Sequence, residues 1–280
     1  MGSAGEDRKI DCDAAEGRLM PEDESQQEFE IMPLYKYQTC PADDLEKQGW
    51  IRDILVEHRL FFASRKSFND PFDCVVPSLL QTPGSVVKRF AEEFVDSKFP
   101  SSSPDEWLTK VSKLMSVDAL KGLRQDVQKN VDEAAIACFS KVRDDILMWA
   151  HYADKHRGLC LEFDGSANCN FFGEVLPVEY EDFTPVPLGE DSMATMKRII
   201  LTKSKHWSYE RGYRIFRPNM AGRKLDYPVE LLTGVIFGCA ILENDRRLVR
   251  RWVEEGNCRV AFFEAQPRAA EFGLDILRIE

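Results

Sequence analysis

The amino-acid sequence predicts an α+β fold: a central mixed or antiparallel sheet with peripheral helices and one helical insertion lobe. Two observations indicate this. Short strand-like segments recur through the C-terminal half, and three consecutive amphipathic segments precede them at about residues 84–133. A chain of 280 residues with 44% hydrophobic residues can bury a large core without disulfides or metal ions. We therefore expect residues 33–280 to form a single domain.

The elements before the lobe are predicted from local signals. Residues 34–37 are short and rich in aromatics, as in a strand, and residues 59–64 predict a second strand. Residues 41–44 offer N-cap chemistry for a helix. The apolar residues after them fall on one helical stripe: Leu45, Trp50, Ile51, Ile54 and Leu55. Residues 67–73 predict a turn, because Asn and Asp bond to their own backbone and Pro71 disfavours helix at Asp70.

The remaining elements follow from hydrophobic periodicity. Helices are predicted at 85–98, 105–115 and 117–131, which together form the lobe. After the lobe we expect a strand at 134–140, a helix at 144–156, strands at 158–163 and 174–180, a helix at 191–207, strands at 212–217 and 233–239, a helix at 243–255, and strands at 259–265 and 274–279.

Charge is concentrated near the N-terminus. Residues 1–33 hold ten acidic and three basic residues, a net charge of −7 out of −11 for the chain. We expect residues 1–32 to be a disordered acidic tail, whose protein partner the sequence does not reveal. The rest is mildly acidic, which gives no support for a strong nucleic-acid footprint. Apolar runs are far shorter than the ~20 residues of a membrane-spanning helix, and the polar start is unlike a signal peptide, so a cytoplasmic location is expected.

Cysteine spacing and missing motifs exclude several classes of site. None of the eight cysteines forms a CxxC pair, and no histidine lies at zinc-ligand spacing, so we expect reduced thiols. No metal or prosthetic group is indicated. The common nucleotide-binding, metalloprotease and serine-hydrolase motifs are also absent from the sequence.

Four segments combine ionisable and aromatic residues within apolar surroundings: 35–37, 68–72, 148–158 and 203–214. Three of the four histidines and two of the five tryptophans lie in the last two segments. Such side chains line ligand pockets, so we expect the segments to converge on one site.

Several of these residues have both a functional and a structural interpretation. His151 is a candidate general base, or it satisfies a carbonyl at the core edge. Glu210 takes a proton or steadies a developing cation, or it forms a structural ion pair with Arg214. Arg214, with Lys203 or Lys205, is suited to gripping a phosphate.

The same segments, in the same order, resemble a widespread bacterial family of uncharacterised proteins, a domain of unknown function. The shared features are an LYKY-like strand at 34–37, FNDPF at 68–72, C-FS at 138–140, MW-HYA-H-G-C-EF at 148–163 and K-W-YE-YR at 205–214. The resemblance implies no settled activity. Its members often carry a second acid where this chain has Gly212.

The order of parts is also similar to the ADP-ribosyltransferase fold. There a polar residue on the first strand, an aromatic residue or Ser on middle strands and a Glu before a later strand surround NAD. The residues that would take these places are Tyr35 and Lys36, Ser64 or Tyr152, and Glu210. This analogy implies NAD as a substrate, a cation steadied by Glu210, and a role as a toxin or phage-defence effector.

The sequence therefore favours an enzyme-like domain that binds a nucleotide-type small molecule. The candidate catalytic residues are Glu210, His151 and Tyr152, and the candidate ligand-binding residues are Tyr35, Lys36, Ser64, Asn69 and Arg214. Asn69 could instead serve only the turn. Two alternatives stay open: a non-catalytic sensor or interaction module in which these residues only fix the fold, and a nuclease-like effector that uses His151 and Glu210. Metal dependence would distinguish the nuclease-like effector.

Overall fold

A computed structural model describes residues 33–40, 45–79, 82–166, 171–172, 175–182 and 192–279. The predicted acidic tail and the predicted N-cap at 41–44 lie outside these residues. The described helices are α1 (Leu45–Leu55), α2 (Gly84–Lys98), α3 (Pro104–Leu114), α4 (Val117–Glu133), α5 (Ile146–Tyr152), α6 (Ser192–Leu201) and α7 (Glu243–Glu255). The described strands are β1 (Pro33–Gln38), β2 (Arg59–Phe62), β3 (Ala135–Ser140), β4 (Leu159–Asp164), β5 (Leu176–Pro177), β6 (Glu179–Glu181), β7 (Thr202–Ser204), β8 (Gly212–Arg217), β9 (Arg223–Asp226), β10 (Leu232–Phe237), β11 (Ala261–Pro267) and β12 (Leu274–Arg278).

Eight strands form the central sheet, in the order β12-β11-β10-β4-β1-β3-β8-β5. All neighbours in it are antiparallel except β10 and β11, which are parallel and are joined through α7. The predicted α+β class with a mixed, largely antiparallel sheet is therefore confirmed. Strand β1 lies inside the sheet, between β3 and β4.

The alternation of side chains along β1 divides the core into two faces, because successive residues of a strand point to opposite sides of the sheet. Leu34 packs in the larger core with Ile51 of α1 and Trp252 of α7. Tyr35 and Tyr37 belong to a separate cluster that includes Met148 and Trp149 of α5. Helix α5 therefore covers the sheet face opposite to α1 and α7.

The predicted lobe consists of α2, α3 and α4. Ala91, Val95 and Val111 pack between α2 and α3, and Ser103 begins α3 with a capping box that includes Glu106. Residues of α4 and α6 pack together with Ile136 of β3, which joins the lobe to the sheet face that α5 also covers.

Two predicted helices are shorter in the structure. The helix expected at 144–156 ends at Tyr152, since Asp154, Lys155 and His156 have left-handed φ values of 46°, 56° and 67°. The turn brings Gly158 against β1, where a Cβ atom would lie 2.1 Å from the Gln38 carbonyl oxygen. The helix expected at 191–207 ends at Leu201, because the next residues pair with β6 and then form a 3₁₀ turn.

Other differences are smaller. The strand expected at 174–180 is divided into β5 and β6, and β9, which pairs with β2, has no counterpart in the prediction. Trp50, expected on the buried stripe of α1, is 48% exposed, whereas Ile51, Ile54 and Leu55 are buried. The cysteines within the described ranges are free thiols. Of the described helices, none combines the length and apolar character needed to span a bilayer.

Candidate functional site

Glu210 is a buried carboxylate at the end of the 3₁₀ turn Lys205–Glu210, directly before β8. The Tyr152 hydroxyl donates to its Oε1 at 2.6 Å, and the Lys203 ammonium donates to its Oε2 at 2.6 Å. The Ser140 hydroxyl donates to its backbone carbonyl at 2.7 Å. Both carboxylate oxygens are therefore engaged by groups of the protein itself.

Asp73 and Arg214 form a second buried ion pair next to the first. Arg214 Nη1 donates to Asp73 Oδ1 at 2.9 Å, and Arg214 Nη2 bonds to the other carboxylate oxygen. Nη1 also donates to the Ile200 carbonyl at 2.6 Å, and the guanidinium lies 5.4 Å from the Phe68 ring centroid. Lys203 Nζ lies 3.8 Å from Asp73 Oδ2 and so joins the two pairs.

We call Asp73, Lys203, Glu210 and Arg214 the buried ion network. Their side chains are between 2% and 10% exposed. Two acids and two bases give the network no net charge, which matters because an unpaired buried charge is costly. Burial raises the pKa of Asp73, but the charges of Arg214 and Lys203 outweigh this effect and hold it below the usual range. Asp73 therefore stays charged opposite Arg214 at neutral pH.

A hydrogen-bond chain connects the network to the surface. The exposed amide of Asn69 donates to the Tyr152 hydroxyl at 3.3 Å, and this hydroxyl donates in turn to Glu210. Burial, together with the charge of Glu210, raises the pKa of Tyr152. Tyr152 therefore keeps its proton and acts as a donor rather than as a nucleophile.

Three aromatic rings lie above the network, and we call His151, Trp207 and Tyr209 the aromatic surface. The His151 centroid is 6.4 Å from that of Trp207 and 6.5 Å from that of Tyr209, and the latter two are 6.0 Å apart. Lys203 Nζ lies 4.3 Å from the Trp207 ring centroid, within cation–π range. His151 is exposed and the other two rings are half-buried.

Local sequence signals place these side chains. Ser204 caps the 3₁₀ turn, and this geometry puts residues three apart, such as Trp207 and Glu210, on one side. In the turn that carries Asn69, the Asp70 carboxylate accepts from the Phe72 backbone N–H at 2.9 Å. That bond fixes the turn through which Asn69 reaches Tyr152.

The structure brings together part of the predicted set. Asn69, Tyr152 and Glu210 are linked by hydrogen bonds. The ring centroids of His151 and Tyr152 are 6.4 Å apart. The alternative in which Glu210 forms an ion pair with Arg214 is wrong, because Glu210 pairs with Lys203 and Arg214 pairs with Asp73. Arg214 is buried and bonded to Asp73 through both terminal nitrogens, so it is not placed to grip a phosphate. Lys205 is exposed and bound to Asp182 at 2.7 Å.

Tyr35, Lys36 and Ser64 do not join this group. Lys36 points to the other sheet face, where its ammonium donates to the Cys138 carbonyl at 3.2 Å and lies 5.2 Å from the Phe139 centroid. Ser64 donates to the Asp132 carbonyl at 3.0 Å. Tyr35 is on the same face as α5, but its hydroxyl bonds to Glu162.

Sequence reasoning missed Asp73 and assigned Lys203 only to phosphate binding. Each lies in an otherwise apolar stretch, Asp73 before Cys74-Val75-Val76 and Lys203 shortly after Ile199-Ile200-Leu201. A single charged residue in such a stretch indicates that its side chain is buried beside a partner of opposite charge. The acids and bases of these segments could therefore have been paired with one another from the sequence. Among the described residues, no group of three His, Cys, Asp or Glu side chains could hold a metal ion.

Comparison with known proteins bears on the family and leaves the activity open. No curated protein and no solved structure matches the chain, so the analogy to ADP-ribosyltransferases stays a prediction. The expected resemblance to an uncharacterised domain family is confirmed, over a segment that carries every member of the buried ion network except Asp73. Residues 148–215 match the model of a family described as a protein of unknown function (DUF2971).

Proposed function

We propose that this protein binds a nucleotide-type small molecule on the aromatic surface, with NAD as the ligand to test first. The rings of His151, Trp207 and Tyr209 offer stacking faces to a base or to a nicotinamide ring. The amide of Asn69, which is exposed beside Tyr152, can donate to and accept from a carboxamide or a base edge.

The observation that carries this proposal is the support beneath Trp207. Its indole covers the Lys203 ammonium at 4.3 Å, and the charge of Lys203 is balanced by Glu210. A half-buried ring held from below by an ion pair loses little freedom when a ligand stacks on it, so the cost of ordering the site is low. Glu210 is then a positioning residue, since its carboxylate is 10% exposed and fully engaged.

The test is isothermal titration calorimetry with NAD, ADP-ribose and AMP. Aromatic stacking on a base contributes ~1–3 kcal/mol, so Trp207→Ala should raise the Kd of the nucleotide about fivefold or more. Trp50→Ala is the matched control, because Trp50 is 48% exposed on α1 and should leave Kd unchanged. Absence of saturable binding by the wild-type protein, or equal weakening by both substitutions, contradicts the proposal.

A second candidate is an NAD-consuming enzyme, which the hydrogen-bond chain from Asn69 through Tyr152 to Glu210 favours. In this version a shift of Tyr152 or Lys203 would expose the Glu210 carboxylate. The bond between ribose C1′ and the nicotinamide nitrogen breaks, nicotinamide leaves, and Glu210 steadies the cation at C1′ until water or an acceptor hydroxyl adds there and loses its proton. Release of nicotinamide from NAD by the wild-type protein, lost in Glu210→Gln while NAD still binds, supports turnover. Binding without release supports a sensor or interaction module, and a toxin or phage-defence role requires the enzymatic version.

A further inference from the structure

We propose that Phe72 forms a second wall of the nucleotide site, and that its ring packs on the base that stacks on the aromatic surface. This inference rests on the proposed function and adds a ligand-contact residue to it. Phe72 is 82% exposed, so its ring packs against little of the protein. A single exposed apolar side chain is ordinary on a protein surface, and what distinguishes Phe72 is its position.

The segment that carries this ring contacts the candidate site on both sides of it. Three residues earlier, the amide of Asn69 donates to the Tyr152 hydroxyl at 3.3 Å. One residue later, the carboxylate of Asp73 lies 3.8 Å from the Lys203 ammonium, which itself lies 4.3 Å from the Trp207 ring centroid. The backbone between these two contacts is therefore held beside the aromatic surface.

A hydrogen-bonded turn fixes the backbone below the Phe72 ring. The backbone N–H of Phe72 donates to the Asp70 carboxylate at 2.9 Å, and the backbone N–H of Asp73 donates to the Asp70 carbonyl at 3.2 Å. Asp70 and Asp73 are buried, whereas Phe72 points outward. A side chain mounted on such a turn is positioned before any ligand arrives, so little backbone freedom is lost on binding.

Two aromatic groups on one buried support suit a flat ligand ring. Asp73 bonds the turn of Phe72 to Arg214, and Lys203 of the same buried ion network lies under Trp207. A base that stacks on Trp207 leaves its other face and its edges open to a further ring, and aromatic pairs favour offset-stacked or edge-to-face contact. Every base has a π-face, so this wall raises the affinity for a nucleobase of any kind.

The test is isothermal titration calorimetry of AMP and NAD with Phe72→Ala, beside the wild type and Trp207→Ala. Loss of the Phe72 ring should raise the Kd of AMP about fivefold or more, and Phe72→Tyr, which keeps the ring, should leave the Kd unchanged. Phe272→Ala is the matched control, because Phe272 is 100% exposed in the turn between β11 and β12. Since both phenylalanines are exposed, neither alanine substitution should lower Tm.

Weaker binding in Phe72→Ala, with the Kd kept in Phe272→Ala and Phe72→Tyr, supports the second wall. If Trp207→Ala weakens AMP binding but Phe72→Ala binds AMP as tightly as Phe272→Ala does, the role of Phe72 is overturned and nucleotide binding on the aromatic surface stands. No saturable binding of AMP or NAD by the wild-type protein overturns both proposals. Weakening by Phe72→Ala without weakening by Trp207→Ala also overturns the second wall, because the base would then lie away from the aromatic surface.

Discussion

Removing the negative charge of Asp73 should destabilise the protein more than almost any other single polar substitution. In Asp73→Asn, the guanidinium of Arg214 loses a two-point carboxylate partner and Lys203 loses the second acid near it. The side chains of Asp73 and Arg214 are 2% and 4% exposed, so water cannot replace the lost charge. Breaking such a buried pair costs ~3–5 kcal/mol. For a domain of this size, that corresponds to a decrease in Tm of roughly 6–20 °C.

Urea unfolding followed by tryptophan fluorescence, with calorimetry for Tm, measures this loss. Asp182→Asn is the control, because Asp182 is 78% exposed and pairs with Lys205 at 2.7 Å. An exposed pair of this kind contributes ~0–1 kcal/mol. If both substitutions lower the free energy of unfolding by less than about 1 kcal/mol, the buried ion network does not stabilise the fold as argued.

Three further results are expected. Burial raises the pKa of Asp73, but Arg214 and Lys203 hold it low. The stabilising effect of its charge is therefore complete above ~pH 4 and is lost as pH falls through the folded-state pKa. As pH is lowered, the free energy of unfolding should fall less steeply in Asp73→Asn than in the wild type. Tyr152→Phe leaves Glu210 Oε1 without its donor and should cost ~1–3 kcal/mol in urea unfolding, with no loss if water replaces the hydroxyl. Gly238→Ala would place a Cβ atom 2.1 Å from a backbone carbonyl oxygen and should lower Tm. In contrast, the added Cβ of Gly122→Ala in α4 meets no atom within 4 Å, so this substitution should raise the free energy of unfolding by ~1 kcal/mol. A higher Tm for Gly238→Ala would contradict this close approach.

Elements with strong local signals could be predicted from the sequence. Strand β8 and helix α7 begin and end where expected. A Gly precedes the alternating apolar residues of β8, and charged residues flank the apolar face of α7. The end of α5 could not be predicted, because it depends on the approach of Gly158 to β1. Strand β9, with the sequence RKLD, lacks apolar alternation and forms through its pairing with β2.

The candidate site was predictable in its members rather than in its pairings. Asn69, Tyr152 and Glu210 were found because polar residues next to aromatics are uncommon in apolar segments. Their contacts with Lys203 depend on how distant segments pack, which spacing along the chain does not determine. The sequence could have predicted that Tyr35 and Lys36 lie on different faces, since adjacent residues of a strand face opposite sides of the sheet.

The interior position of β1 has a consequence for synthesis of the chain. Tyr35 lies opposite Ser140, about 105 residues later, and the other neighbour, β4, is made later still. At ~5–20 residues per second, the ribosome would leave this aromatic strand with both edges open for roughly 5–20 s. A nascent chain in that state presents unpaired backbone N–H and C=O groups, flanked by aromatic side chains, to any other unfinished copy. Chaperone supply and translation rate should therefore influence the soluble yield of this protein more than that of a helical bundle of equal length.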